Sequence, residues 1–264
     1  MTTNGPPKSH GRKSIRANLK PQSLMDETPD LVGVFQARII TLFPDLFPGV
    51  LGASLTGKAL QEGLWQLHTH DLREHGIGKH RNVDDTPAGG GAGMVLRADV
   101  VGLALAEAQA HARGRWPILY MSPRGRVFDQ AMASDLAHAD GVTILCGRFE
   151  GVDERVLEEF NVTEVSLGDF VMTGGEIAAQ AILDAAVRLI PGVLGNAAST
   201  EAESHANGLL EHPQYTRPAE WAGRKIPDVI MSGNHAEVSK WRRQMSEELT
   251  QIRRPDLWKK HKKN

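Results

Sequence analysis

Three short apolar runs, at residues 117–120, 141–146 and 163–167, each give way to a glycine-bearing segment and then to a helical pattern. Strands alternating with helices build a parallel sheet covered on its faces, because joining parallel strands takes a long crossover, most readily a helix. Ligands in such sheets bind beyond the carboxyl ends of the strands. The three exits are Met121-Ser-Pro-Arg-Gly125, Cys146-Gly-Arg-Phe-Glu-Gly-Val-Asp-Glu-Arg155 and Ser166-Leu-Gly-Asp-Phe-Val-Met-Thr-Gly-Gly-Glu176. Glycine there lets backbone donors and acceptors approach a ligand with no side chain between. The fold class that follows is α/β with a parallel sheet, and the exits form a candidate ligand cradle.

The same pattern extends upstream. An apolar run over 35–43, stopped by Pro44, reads as a buried strand. A helix is expected near 51–62, a strand near 64–68, and an alanine-rich helix over 99–113 capped by Asp99. After Gly175 a long apolar helix runs to Ile190, with Glu176, Gln180, Asp184 and Arg188 on one slowly winding stripe. For Arg188 a salt bridge to Asp184 and a guanidinium aimed into a site stand as equal readings. Residues 195–212 are small, polar and aperiodic, as a linker would be, and residues 236–250 form a charged amphipathic helix with Val238, Trp241 and Met245 on one face. Residues 1–33 show no periodicity and are expected to be a disordered basic extension.

Several signals lead nowhere. Gly52-Ala-Ser-Leu-Thr-Gly57-Lys58-Ala59 nearly spells a phosphate-binding loop, but Ala59 lacks the hydroxyl that holds magnesium. Gly89-Gly-Gly-Ala-Gly93 is not a dinucleotide fingerprint, since Met94 and Leu96 stand where glycine is needed, and alone it reads as a flexible loop. His68, His70, Asp71 and His75 match no metal-ligand spacing, so no metal site is assigned. Cys146 is the sole cysteine, which excludes a disulfide framework and fits a reducing cytoplasm. No apolar run reaches the roughly 18 residues of a membrane span. Net charge is −2, yet both ends are basic, with Lys8, Arg12, Lys13, Arg16 and Lys20 at one and Lys259, Lys260, Lys262 and Lys263 at the other. Such ends suit an anionic partner or plain solvation equally.

Taken as an ordered series, the three exits together with Val83-Asp-Asp85, Gly89-Gly-Gly-Ala-Gly-Met94, Arg188-Leu-Ile-Pro-Gly-Val-Leu-Gly195, Gly208-Leu-Leu210, Pro213-Gln-Tyr-Thr-Arg-Pro218 and Ser232-Gly-Asn-His-Ala-Glu237 resemble the bacterial tRNA guanine-N1 methyltransferases of the TrmD type, over roughly residues 35–258. The resemblance implies a SPOUT-type parallel sheet with a carboxyl-side trefoil knot, plus a small α-helical C-terminal domain. The methyltransferase domain would cover 34–194, the linker 195–212 and a helical tRNA-binding domain 213–264. It implies S-adenosylmethionine held by Tyr120, Met121, Ser122, Gly147, Phe149, Glu150, Gly151, Leu167, Gly168, Asp169, Phe170, Val171, Met172, Gly174 and Gly175.

It further implies a catalytic arginine, Arg188, and a linker aspartate that this chain replaces by Glu203, with Glu201 as the other carboxylate in reach. The carboxylate would take the guanine N1 proton while Arg188 stabilises charge on O6. The substrate would be tRNA with guanosine at position 37, beside the anticodon, and the enzyme a cytoplasmic homodimer. Arg148, Arg155 and the basic helix are candidate phosphate contacts. Magnesium is the one metal the resemblance raises, and no ligand set for it is readable. A SPOUT enzyme for another RNA base, or a catalytically silent RNA-binding module, are the alternative readings.

Overall fold

The computed structural model describes residues 31–195, 203–205 and 208–262. Most of the extension expected over 1–33, and the second candidate carboxylate Glu201, lie outside them. The first strand, β1 (Phe35–Thr41), is buried along its whole length. It is followed by helix α1 (Ser54–Gln61), β2 (Trp65–Asp71), a two-stranded ribbon of β3 (Asp84–Asp85) and β4 (Val95–Leu96), and helix α2 (Ala98–Ala110). Then come β5 (Ile118–Val127), α3 (Gln130–Ala137), β6 (Gly141–Cys146), α4 (Glu154–Glu159), β7 (Thr163–Ser166) and α5 (Glu176–Val187). The large sheet has the order β2-β1-β6-β5-β7, and every pairing in it is parallel.

Alternation along the strands supplies two cores. Phe35, Ala37 and Ile39 of β1 join Val142 and Ile144 of β6 beneath Ala59, Leu136 and the Ile182–Leu183 face of α5. Ile40 and Leu145 face the other way, onto Val100, Val101, Ala104 and Leu105 of α2 and Val156 and Leu157 of α4. Helices thus cover both faces, as continuous apolar strands require.

Three local expectations need correction. Asp99 does not cap α2: the helix starts at Ala98, and the Asp99 carboxylate sits in the first turn, gripped by Arg97 at 2.8 and 3.1 Å. The exit expected after Tyr120 is no exit, because β5 continues to Val127. Its pairing with β7 breaks after Met121↔Val165 and resumes at Arg126↔Val165, so Ser122–Gly125 balloons out of a continuing strand. Gly125 allows the return, since a Cβ there would lie 2.3 Å from the Val165 nitrogen. Finally, α5 is one-sided, with Ile177 68% exposed and Asp184 exposed too, and it ends at Val187.

Beyond the linker, a short ribbon of β8 (Glu220–Trp221) and β9 (Arg224–Lys225) precedes α6 (Asp228–Met231), α7 (His235–Arg253) and α8 (Pro255–His261). Asn234 caps α7 through the Glu237 N–H, and His212 and Tyr215 lie against Trp241 on its partly buried face.

The histidines at the end of β2 turn to a single acid. His75 Nε2 lies 3.0 Å and His70 Nδ1 3.7 Å from the Glu107 carboxylate of α2. Among the described residues no three acidic, histidine or cysteine side chains converge as a metal site would need. Burial pushes the His70 imidazole below its usual range, against the opposing pull of Glu107. The folded chain therefore resists a proton that the unfolded chain accepts, so stability is fully present above the unfolded pKa and is lost as pH falls from there through the lower folded pKa. The melting midpoint should drop on acidification from about pH 7 to pH 5, around the ordinary imidazole pKa near 6.5. That dependence should flatten in His70→Asn, as followed by circular dichroism.

Candidate active site

The excursion in the middle of β5 and the carboxyl ends of β6 and β7 surround a cavity of about 320 Å³. One wall is Tyr120, Met121 and the ballooned Ser122-Pro123-Arg124. The second is Gly147 through Val152, and the third runs from Val165 through Leu167 and from Phe170 through Gly175. The structure thus brings together every residue expected at a cofactor except Gly168 and Asp169. Gly168 is tucked against Ser166, whose hydroxyl donates to its carbonyl at 2.9 Å and accepts from its N–H at 3.1 Å.

The three segments meet at backbone distance. Gly175 N–H donates to the Gly147 carbonyl at 3.0 Å. A Cβ on Gly175 would stand 2.9 Å from both the Cys146 Cα and the Met121 Cβ. One on Gly147 would stand 2.5 Å from the Tyr120 ring. Glycine is demanded at both positions by crowding, since neither has a positive φ.

Sequence reasoning missed the polar anchor of this site. Glu176, the first residue of α5, is 2% exposed and receives Arg148 through Nη2 at 2.8 Å and Nε at 3.2 Å. Thr41, at the end of β1, donates its hydroxyl to the same carboxylate at 2.9 Å, and the Arg148 guanidinium also lies over the Phe43 ring at 4.4 Å. Arg148 is therefore committed inward, and Arg155 is held by Asp153 at 2.7 Å. A glutamate directly after two glycines, opening an otherwise apolar helix, was the available signal. Removing one member of a buried pair leaves the other charge uncompensated. Glu176→Ala should lower unfolding free energy by about 3 kcal/mol and, because Arg148 lines the cavity, weaken ligand binding; urea titration checks the first and calorimetry the second.

Arg188 and Glu203 form the other polar feature. The guanidinium donates Nη1 to Oε2 at 2.7 Å and Nη2 to Oε1 at 2.5 Å, a two-pronged pair in which each side chain is 29% exposed. Asp184 receives only the Arg188 backbone N–H, at 3.3 Å. The hydrogen bonds from Arg188 hold the Glu203 carboxyl below the usual carboxylate range. Neither residue lines the cavity. Arg188 follows the last turn of α5 while Gly175 precedes its first, and 12 helical residues span roughly 18 Å. Within one chain, the cradle and the arginine–carboxylate pair are at opposite ends of one helix.

Residues 35–260 match the family described as tRNA (Guanine-1)-methyltransferase TrmD. A protein of Roseobacter denitrificans named tRNA (guanine-N(1)-)-methyltransferase is 77% identical over 229 residues, spanning 87% of this chain and 95% of that one. A protein of the same name from Ruegeria pomeroyi is 71% identical, over 90% of this chain and 98% of its own length. One from Bartonella henselae is 56% identical, over 87% and 97%. The order of the three cavity walls, the pair beyond them and these matches across nearly the whole length of the relatives place the chain in the tRNA (guanine-1)-methyltransferase TrmD family.

Proposed function

We propose that this protein methylates guanine N1 at position 37 of tRNA, beside the anticodon, with S-adenosylmethionine as donor. The observation that carries the reading is the glycine-walled cavity at the excursion in β5 and the ends of β6 and β7, in a chain of this family. The cavity suits the cofactor in size, in its mix of apolar walls and backbone polar groups, and in the close approach its glycines permit. Tyr120, Met121 and Leu167 offer apolar surface to a flat ring, and Ser122, Glu150 and the backbone from Phe170 to Gly175 offer polar groups. Gly168 and Asp169 would serve from behind this wall.

When bound, S-adenosylmethionine supplies a methyl group made electrophilic by its sulfonium. The protein's task is the proton. Guanine N1 is protonated at neutral pH, so Glu203 takes that proton as N1 attacks, which is worth about 10²–10⁴-fold in rate. Its depressed pKa keeps Glu203 ionised in the resting enzyme. As the proton leaves, Arg188 exchanges Glu203 for the O6 oxygen, where negative charge builds. Losing that partner raises the proton affinity of Glu203 at the moment it acts.

The roughly 18 Å of α5 between cradle and pair supports a homodimer in which the Arg188–Glu203 pair of one protomer serves its partner's cavity. Phe170, Val171 and Ile177, exposed by 55%, 81% and 68% beside the cavity, are an apolar surface suited to such a contact. A trefoil knot goes with this reading. The chain leaving edge strand β7 returns to the end of β6 at Gly175 and enters α5, which packs over β1 and β6. The segment 213–264 would be a separate tRNA-binding domain, with Lys240, Arg242 and Arg243 exposed on α7, joined by the linker 195–212. The setting would be cytoplasmic; among the described residues no helix is long and apolar enough to cross a membrane.

Two measurements test this. With labelled S-adenosylmethionine, a tRNA transcript carrying G37 should be methylated and its A37 counterpart should not; equal labelling of both sinks the assignment. Glu203→Gln should lose about 100-fold or more in single-turnover rate at unchanged cofactor affinity. A near-normal rate in that variant moves the base to Glu201 or elsewhere.

A further inference from the structure

The glycine-dense segment that reads as a flexible loop is fastened to the cavity. From Met94 to Leu96 the chain runs parallel to Glu150–Asp153. Glu150 N–H donates to the Met94 carbonyl at 2.9 Å, Leu96 N–H to that of Gly151 at 2.9 Å, and Asp153 N–H to that of Leu96 at 3.1 Å. Leu96 and Val152, which face each other in this ladder, are 0% and 8% exposed and share one core. Gly93 stands directly ahead of this ladder.

A Cβ on Gly93 would fall 2.4 Å from Glu150 Cγ and 2.5 Å from its Oε1. Gly89, Gly90 and Gly91 share the positive φ of Gly93 but have nothing within 4 Å of the same point. Backbone conformation is thus common to all four, and the contact belongs to Gly93 alone. Glu150 lines the cavity and is exposed, and its carboxylate has, among the described residues, no hydrogen bond or ion pair. Its direction is set by lying across a bare Cα, not by a polar partner.

We infer that Gly93 is a positioning residue: the side chain it lacks is the space in which Glu150 lies, and this aims the carboxylate at the cavity, where it favours a cationic ligand over a neutral one of the same shape. The inference rests on the cofactor reading above. The donor carries a sulfonium and the spent product a neutral thioether, so a nearby carboxylate separates them by charge alone. Gly93 thereby becomes part of how the site takes up fresh donor and releases product.

Calorimetry with S-adenosylmethionine and S-adenosylhomocysteine tests this on the full-length wild type and four variants. In Gly93→Ala the preference for the sulfonium should fall by about tenfold, roughly one partly screened charge contact. Gly90→Ala, which has the backbone strain without the contact, should hold it within about twofold, well below that charge effect. Glu150→Gln should lose the preference as Gly93→Ala does, and Gly93→Ala/Glu150→Ala should lose no more. A wild-type preference in Gly93→Ala, or an equal loss for both ligands, overturns the inference while leaving the cofactor reading intact. Failure of the wild type to bind either ligand overturns both. If Gly93→Ala does not fold, the double variant decides: cooperative melting there supports the contact, and its absence overturns it.

Discussion

At Gly175 three stretches of chain come within touching distance, so that even one methyl group would overlap the backbone of Cys146 and the side chain of Met121. The site depends on that approach. It brings the end of β7 back over β6, lets Gly175 N–H reach the Gly147 carbonyl, and starts α5 at the cavity rim. The network below then fixes the arrangement. Glu176 is buried only because Arg148 and Thr41 satisfy it, and those partners come from the exits of β6 and β1. A buried carboxylate with three donors costs less to hide than one with a single partner. The polar anchor and the glycine contact therefore fall on consecutive residues of the same junction.

Helix α5 also separates two kinds of chemistry. Its amino end belongs to the cavity, and its carboxyl end carries Arg188 with Glu203. A helix of this length keeps that pair away from the cavity of its own chain. Under the proposed function, turnover would then require two chains, and an isolated protomer would bind donor without spending it.

Much of this was legible beforehand because it is local. Strand and helix alternation and the glycine positions follow from runs of a few residues. The Ser122–Gly125 excursion was not, since a bulge is defined by the partner strand's register and resembles a loop in sequence. The same holds for Arg148, which looked like an exposed cation until its partner, 28 residues on, was seen to be buried. Arg188 stood between two readings on pattern alone, because i to i+4 spacing to Asp184 and a distant carboxylate leave the same local trace. The four-residue histidine pattern was likewise mute about Glu107, which arrives from another element.

The pairing of Arg188 with Glu203 has a topological side. The two residues lie 15 positions apart, so their contact ties off the intervening chain as a clasp closes a strap. Closing a loop of that size costs conformational entropy that grows only slowly with length. Opening the clasp returns it. Under the proposed function, a guanine that drew Arg188 away from Glu203 would open this loop in the same step. Engagement of the target base and opening of the clasp would then be two readings of one equilibrium.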